Sequence, residues 1–486
     1  MDKLQFIVAL IGVGGVCIFT ALALARRRDF SLRVSVGLAT GTLAAYTLPP
    51  AFCAAWLGSY TVLNFGFPIH DWTLGLVLEA SLMAVTLVVV IRAAGHRFWI
   101  SEHIQQLLRP REDDWRLLLV LYGLCKALEI ALSGPWVAWR YEAAVVNPMH
   151  GEVIYGVGVY FFVLHNLSIP ILLVLLFARL ERPPSPFVRI ARVVLGIVFL
   201  APYALMSAVH GARGFILQLA IMLFLILVYN QVRSGGRRRF PMLGLCVLVV
   251  TLGFLTVASP AFVAFRLAAV EMPQMTDLDR LATFWSYVTR APSDGQDIES
   301  TLSRLDTAQD AGILAQFARD SGQYAGLQPF LGAILSWVPR YFWPEKPLAT
   351  SIDDSLSGTP PYITGALRGI WGGTASIGAS GIAFWQMGWL GVLITAIGNA
   401  MVILLIVRPC LRAGAFGLAV FLIMGRQTFF SMVSPLDVWI MIILKTLLPL
   451  LVLAALYRMA LARPFAARQA RASCPVNSQG RLSTSS

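Results

Sequence analysis

The stretch LQFIVALIGVGGVCIFTALALA (residues 4–25), followed directly by Arg26, Arg27 and Arg28, decides the fold. Its length matches the roughly 20 apolar residues that an α-helix needs to cross the hydrocarbon core of a bilayer. It is too long for the apolar core of a signal peptide, so we expect a retained membrane span. The three arginines predict that this span ends in the cytoplasm and that the N-terminus lies outside.

The composition of the whole chain is typical of a membrane protein. Of its 486 residues, 57% are hydrophobic and only 13% are charged, whereas a soluble domain has about 25% charged residues. The net charge of +13 is attributed to cytoplasmic loops rather than to nucleic-acid binding, because Lys and Arg collect on that side of membrane proteins. The six cysteines form no C-x-x-C pair, so neither a disulfide framework nor a metal site is predicted.

Apolar runs recur along the chain and predict about eleven transmembrane helices. The runs lie at residues 4–25, 34–57, 72–91, 115–132, 153–177, 193–209, 215–232, 243–265, 384–407, 413–433 and 436–456. Basic residues cluster at alternate ends of these runs, which places the N-terminus outside and the C-terminus in the cytoplasm. We therefore predict an all-α polytopic integral membrane protein.

One long polar segment interrupts the apolar pattern. Residues 266–383 contain twelve Asp and Glu against eight Lys and Arg, and this balance predicts an extracytoplasmic loop. The spacing of apolar residues within 298–321 predicts a short amphipathic helix packed on the outer face. The predicted organisation is transmembrane helices one to eight at 1–265, the outer loop at 266–383, helices nine to eleven at 384–457, and a disordered cytoplasmic tail at 458–486.

Ionisable residues inside the apolar runs are candidate functional residues, because charge at membrane depth is costly. They are Glu79, Lys126, Glu129, His165, Arg213, Arg426 and Lys445. Lys126 and Glu129 are three residues apart on one helical face, which favours a structural ion pair. Arg213 and Arg426 are predicted near the outer ends of their helices, where arginine can bind phosphate oxygens through two N–H groups.

A second signature, VPRYFWPEKP at residues 338–347, lies near the end of the outer loop. It places Arg340 and Lys346 among aromatic residues and prolines, a combination that suits an anionic, lipid-linked ligand. The alternative is an interfacial anchor, because aromatic and basic side chains collect at the headgroup level of any membrane protein. The residues expected to converge on one outward-facing cationic cavity are Arg213, Arg340, Lys346, Arg368 and Arg426.

The motifs that the sequence lacks narrow the chemistry. It has no H-E-x-x-H, no Walker loop and no G-x-S-x-G elbow, so zinc-dependent hydrolysis, ATP use and serine hydrolysis are not predicted. A polyprenyl-diphosphate sugar supplies its own driving force, because the diphosphate leaves readily once cations neutralise it. The acceptor hydroxyl then needs a base. The candidates are Glu345, Asp353 and Asp354, with solvated loop carboxylates as the alternative.

These features resemble the bacterial oligosaccharide repeat-unit polymerases of the O-antigen polymerase (Wzy-type) family. In that family a long outer loop ends in a P-R-x-x-W-P-x-K-P-like motif. The matching residues here are Pro339, Arg340, Trp343, Pro344, Lys346 and Pro347. The likeness covers about 304–398, including W-Q-M-G-W-L-G at 385–391, and Arg213 with the next glycine matches an Arg-Gly pair of the family. The paired R-x10-G motif of some members is missing.

The resemblance implies a GT-C-like membrane glycosyltransferase that needs no metal or other cofactor. Its implied substrate is an undecaprenyl-diphosphate-linked oligosaccharide at the periplasmic face of the bacterial inner membrane. Its implied partners are the lipid bilayer and a chain-length regulator protein, with no nucleic acid. The expected catalytic residues are Arg340, Glu345 and Asp353. The expected substrate-binding residues are Arg213, Arg304, Trp343, Lys346, Arg368 and Arg426.

Three other functions fit the same topology. An O-antigen ligase differs from a polymerase only in its acceptor, and no physical feature of the sequence separates the two. A transporter or flippase of lipid-linked oligosaccharide often has internal repeats, and the two halves of this chain share no repeated pattern. A purely structural membrane component would leave Arg213 and Arg426 at membrane depth without a purpose.

Overall fold

The computed structural model describes a large part of the chain. The described residues are 2–26, 29–57, 69–108, 114–133, 157–179, 186–201, 203, 213–233, 279, 282–283, 285–286, 307–335, 338, 378–428 and 430–459. Within these residues every regular element is a helix. The predicted all-α class is therefore confirmed for the described part of the chain.

The helices of the first half reach from the N-terminus to residue 200. They are α1 (Asp2–Arg26), α2 (Phe30–Leu57), α3 (Ile69–Ala93), α4 (Trp99–Leu107), α5 (Asp114–Ser133), α6 (Val157–Phe177) and α7 (Pro186–Leu195, continued by a π-helical turn at Gly196–Leu200).

The helices of the second half begin at Arg213. They are α8 (Arg213–Arg233), α9 (Thr307–Ser321), α10 (Gln328–Leu335), α11 (Ala379–Val402, continued by a π-helical turn at Ile403–Val407), α12 (Arg408–Arg412), α13 (Gly414–Gln427) and α14 (Leu436–Ile442, continued by a π-helical turn at Ile443–Leu447).

Five of the described helices are long and apolar enough to cross a membrane, judged by length and composition. They are Leu4–Arg26, Thr73–Ala93, Ile216–Arg233, Ala379–Arg412 and Leu436–Met459. Shorter apolar helices at Phe30–Ala45, Leu167–Phe177 and Gly414–Gln427 coincide with three further predicted spans. The count of eleven spans and the four-part division of the chain stay predictions, and the predicted span at 243–265 lies outside the described residues.

Asp29 joins three helix ends on the side of the bundle that the sequence predicts to be cytoplasmic. It caps α2, because Ser31 donates its backbone N–H (3.1 Å) and its hydroxyl (2.6 Å) to Asp29 Oδ1. Arg408 and Arg412 of α12 donate to Asp29 Oδ2 at 3.1 and 2.5 Å. Arg408 also donates to the carbonyl of Ala94, just after α3, at 2.8 Å. We call these five residues the Asp29 clamp.

Two further contacts join helix ends that are predicted to be cytoplasmic. Asn230 near the end of α8 accepts the Arg179 backbone N–H and donates to the Phe177 carbonyl at the end of α6, both at 2.7 Å. The guanidinium of Arg458, in the helix that continues α14, lies 5.8 Å from the ring centre of Phe416 at the start of α13. Helix ends that the charge pattern assigns to one side of the membrane therefore meet in the structure.

The helix predicted within 298–321 is observed as α9, and it packs between α3 and α11. Its predicted place on the outer face stays a prediction. A Cβ added at Gly75 of α3 would overlap the Ala308 carbonyl of α9, and one added at Gly381 of α11 would overlap Ala311. Because glycine has no Cβ, it lets α9 approach both helices closely. Ala308 and Ala311 are fully buried. We call these glycine–alanine contacts the α9 seat.

α11 is broken at Gly388, within the stretch that the sequence predicted only as a glycine-rich start to a span. Gly388 has a φ of 61°, a left-handed value that favours glycine. The carbonyls of Trp385 and Gln386 lie next to the break. They accept the backbone N–H groups of Ala325 and Gly326, in the turn after α9, at 3.1 and 2.9 Å. The turn after α9 therefore supplies hydrogen bonds to the broken helix.

We expect Gly75→Ala to displace α9 and to lower the free energy of unfolding by about 1–3 kcal/mol, the usual cost of overpacking a filled core. The matched control is Gly12→Ala in α1, where an added Cβ has nothing within 4 Å. That control should be neutral or stabilise the protein by about 0.5–1 kcal/mol, because alanine replaces a helical glycine. Thermal unfolding in detergent measures both variants, and equal Tm shifts would contradict the close packing of α9 on α3.

The Asp29 clamp should also depend on pH. Burial alone would raise the pKa of Asp29, but the hydrogen bond from Ser31 and the charges of Arg412 and Arg408 outweigh burial and lower the pKa below its usual value. The clamp therefore contributes stability above the unfolded pKa of about 3.9 and loses it as the pH falls through the lowered pKa.

Asp29→Asn should lower the free energy of unfolding by about 2 kcal/mol at neutral pH, because two arginines lose a charged acceptor. The difference from the unchanged protein should shrink as the pH falls below about 4. Unfolding in detergent across this pH range measures it, with Glu102→Gln on the exposed surface of α4 as the control. A pH-independent loss in Asp29→Asn would show that the charge of Asp29 does not stabilise the clamp.

Candidate functional site

Of the predicted site residues, the structure describes the side chain of Arg426 and the backbone position of Arg213. The other predicted residues lie outside the described part of the chain: Arg304, Arg340, Trp343, Glu345, Lys346, Asp353, Asp354 and Arg368. The predicted convergence of five cations can therefore be followed only for Arg213 and Arg426.

Arg426 lies one residue before the end of α13 and is almost completely buried, with 3% of its surface exposed. Its Nη2 donates to the hydroxyl of Tyr203, beyond the π-helical turn of α7, at 3.2 Å. Its backbone carbonyl is 3.5 Å from Nε2 of Gln218 on α8, a long and weak hydrogen bond. α13, α8 and the chain after α7 therefore meet at Arg426.

Arg213 begins α8, and Gln218 follows it five residues later on the same helix. At 1.5 Å per residue, the first residue of α8 lies about 8 Å along the helix axis from the contact with Arg426. The contact places Gln218 of α8 beside the Arg426 carbonyl, and the convergence of the Arg213 and Arg426 side chains stays a prediction. Tyr203 and Gln218 were missed, because a tyrosine and a glutamine near span ends are common and carry no distinctive spacing.

Lys126 and Glu129 form the predicted ion pair, with Lys126 Nζ 2.6 Å from Glu129 Oε2. The Ser168 hydroxyl of α6 donates to Glu129 Oε1 at 2.9 Å. All three residues are buried. The pair therefore fastens α5 to α6, which supports the structural interpretation. The sequence did not predict Ser168, which lies 39 residues away from Glu129.

The remaining ionisable residues predicted at membrane depth have different surroundings. Glu79 is buried on α3, with 7% of its surface exposed. Lys445 lies in the π-helical turn of α14 and is partly buried. His165 lies in α6, where the structure describes the backbone but not this side chain. None of these residues was singled out by the sequence for catalysis.

A row of buried polar side chains connects α11 to α14. Gln386 Nε2 donates to Asp437 Oδ1 at 3.0 Å. Asn399 Oδ1 accepts the indole N–H of Trp439 at 2.6 Å and the backbone N–H of Ser434 at 3.1 Å. These groups hold the two helices in register. In the sequence these residues are recognisable only as isolated polar residues within apolar runs, a pattern that does not predict which of them form hydrogen bonds with each other.

Comparison with protein-family models, with curated proteins and with solved structures gives no match. Among the described residues, no group of three or more His, Cys, Asp and Glu side chains is placed to hold a metal ion. The chemistry must therefore be argued from the arginine and its surroundings.

The surroundings of Arg426 suit the recognition of an oxyanion. A guanidinium keeps its charge when buried and offers five N–H donors in a planar fork that matches phosphate oxygens. The Tyr203 hydroxyl orients one end of this fork. In a low-dielectric site such a fixed cation interacts much more strongly with an anion than it would in water. The arrangement can stabilise negative charge that develops on a diphosphate leaving group.

Two substitutions on α11 compare a buried polar side chain that makes hydrogen bonds with one that makes none within the described residues. Asn399→Leu should lower the free energy of unfolding by about 2–3 kcal/mol, because Trp439 and Ser434 lose their buried acceptor. Thr395→Val, one turn earlier, removes a buried hydroxyl that makes no hydrogen bond within the described residues. This nearly isosteric change should leave the stability unchanged or raise it. Thermal unfolding measures both, and a larger loss for Thr395→Val would contradict the assignment of Asn399.

Proposed function

We propose that this protein is a metal-independent membrane glycosyltransferase. It polymerises undecaprenyl-diphosphate-linked oligosaccharide repeat units on the periplasmic face of the bacterial inner membrane, in the biosynthesis of O-antigen, capsule or exopolysaccharide. The observation that carries the proposal is the buried, oriented guanidinium of Arg426, together with the contact of its carbonyl with Gln218, five residues after Arg213 on α8. Two arginines near one point inside a membrane protein suit a lipid-linked diphosphate.

The depth of Arg426 supports an outward-facing site. α13 begins at Gly414, two residues after Arg412 of the Asp29 clamp. Arg426 follows twelve residues later, about 18 Å along the helix. Because the hydrocarbon core is about 30 Å thick, this distance supports a position for Arg426 in the half of the membrane opposite the clamp. If the clamp is cytoplasmic, as its basic residues suggest, Arg426 faces the periplasmic leaflet.

The proposed reaction breaks the bond between the anomeric carbon of the donor glycan and its diphosphate. The diphosphate leaves with the bonding electron pair, and Arg213, Arg426 and Arg340 stabilise its charge. The acceptor hydroxyl forms the new glycosidic bond and gives its proton to a carboxylate. Glu345 and Asp353 are the proposed bases.

The proposed binding surface extends beyond the two membrane arginines. Arg304, Lys346 and Arg368 would contribute further positive charge, and Trp343 would contact a sugar or the isoprenoid. The proposed architecture has eleven spans in a GT-C-like arrangement with the N-terminus in the periplasm. The meeting of helix ends at the Asp29 clamp supports the assignment of these ends to one side of the membrane.

Substitution of the proposed diphosphate ligands should abolish polymer formation. We expect Arg213→Ala, Arg340→Ala and Arg426→Lys each to reduce polymer by roughly 100-fold or more, the usual effect of removing one donor to a developing oxyanion. The matched control is Arg319→Ala on α9, an exposed arginine next to Asp320. Glycan gels of complemented deletion strains, with immunoblots for protein level, measure the effect. Normal ladders from a variant would exclude that arginine from diphosphate binding.

Deletion of the gene separates the proposed activity from its alternatives. A polymerase mutant should carry single-repeat caps on its surface glycan. A ligase mutant would carry no glycan on the acceptor core, and a flippase mutant would accumulate lipid-linked units in the cytoplasmic leaflet. The second and third outcomes would replace the proposal with the corresponding alternative.

A further inference from the structure

Glu79 is a buried carboxyl group that the proposed reaction does not use. It lies on α3, with 7% of its surface exposed. Within the part of the chain that the structure describes, no lysine, arginine or histidine pairs with it. The Ser380 hydroxyl of α11 is close enough to interact with Glu79 but falls short of good hydrogen-bond geometry. Ser380 itself is fully buried.

Glu79 and Ser380 lie at the α9 seat. Glu79 follows Gly75 by four residues, so the two share one face of α3. Ser380 directly precedes Gly381, the second glycine of the seat. A carboxyl group and a hydroxyl therefore meet where α9 touches both of its neighbours.

The elements around Glu79 offer little compensating charge. The helical segment Ala379–Val402 of α11 contains no titratable side chain. On α9, Asp310 is a buried acid, whereas Arg319 and Asp320 are exposed and contact each other. The charged residues of α1 and α2 with described side chains lie at the end near the Asp29 clamp, as Arg26 and Arg33 do. An ionised Glu79 would thus be a buried anion beside a hydroxyl.

We propose that Glu79 is a proton-binding site within the membrane, protonated while α9 occupies its seat and ionised only when α9 leaves it. An ionised carboxylate without a cation is strongly disfavoured in an apolar interior, so such a group binds a proton instead. Water reaches the carboxyl when α9 lifts, and the carboxylate can then exist. This inference does not depend on the proposed glycosyl transfer.

Proton binding at Glu79 makes the position of α9 depend on pH. The seated state binds one more proton at Glu79 than the lifted state over the pH range between their two proton affinities. By linkage, rising pH therefore shifts the equilibrium toward the lifted state, and falling pH favours the seated state. The backbone hydrogen bonds from Ala325 and Gly326 to the broken helix would open in the same transition.

The first test uses the unchanged, full-length protein and dicyclohexylcarbodiimide, a hydrophobic reagent that modifies protonated carboxyl groups. The carboxyl O–H adds across an N=C bond of the reagent, and the product rearranges to a stable N-acylurea on Glu79. Peptide mass spectrometry should find this adduct at low pH, with at least a fivefold decrease in yield as the pH rises. An absent adduct, or a yield that does not change with pH, would overturn the proposal.

The second test measures the seat directly with Ala315→Cys, a fully buried position on α9. The background replaces the six native cysteines with alanine. A water-soluble maleimide labels this cysteine only when α9 lifts. The labelling rates with Glu79 present and with Glu79→Gln are compared at each pH, which cancels the ionisation of the thiol itself.

The ratio of the two rates should rise at least fivefold from low to high pH, because glutamine stays neutral in both states. Ser380→Ala, which keeps the carboxyl, should retain the pH dependence and serves as the control for local packing. A ratio that stays constant with pH would overturn the proposal. Elution of each variant as a single peak in detergent, at the volume of the unchanged protein, confirms that it is folded.

Discussion

The structure depends on the hydrogen bonds that the turn after α9 gives to the broken helix α11. In hydrocarbon there is no water to satisfy an open carbonyl, so irregular backbone is tolerated only where protein supplies the partner. Ala325 and Gly326 supply it for Trp385 and Gln386. The break at Gly388 and the position of α9 therefore stabilise each other.

This dependence bears on the polar segment at 266–383, which the sequence predicts to be an outer loop. The segment before α11 is polar overall, yet its helix α9 is packed against two membrane helices through small side chains. Small residues allow close helix approach in membranes, where hydrophobic burial gives little drive for association. Gly75 and Gly381 have no side chain, so the backbone of α9 at Ala308 and Ala311 can lie close to α3 and α11. α9 thus packs together with α3 and α11, although its sequence lies within the polar segment.

The sequence could predict what depends on local spacing. The length of the apolar runs predicted a helical membrane protein. The spacing of apolar residues within 298–321 predicted the helix observed as α9, and the interval of three residues between Lys126 and Glu129 predicted their ion pair. The sequence could not predict contacts between distant residues, such as Tyr203 with Arg426. The pattern of residues on one helical face does not show which other helix packs against that face. The break at Gly388 was also missed, because a glycine in an apolar run fits either a close contact or a left-handed turn.

Arg426 and the two arginines of the Asp29 clamp differ in the partner that orients them. Arg408 and Arg412 share the carboxylate of Asp29, so charge neutralisation fixes the helix ends and the charges have a structural role. Arg426 donates to the uncharged hydroxyl of Tyr203, and this hydrogen bond orients its guanidinium. A donor that is already oriented can stabilise developing negative charge without reorganising during the reaction. The ion pairs with Asp29 therefore account for the two arginines of the clamp by packing, whereas the proposed role of Arg426 in diphosphate binding rests on its burial and its orientation by Tyr203.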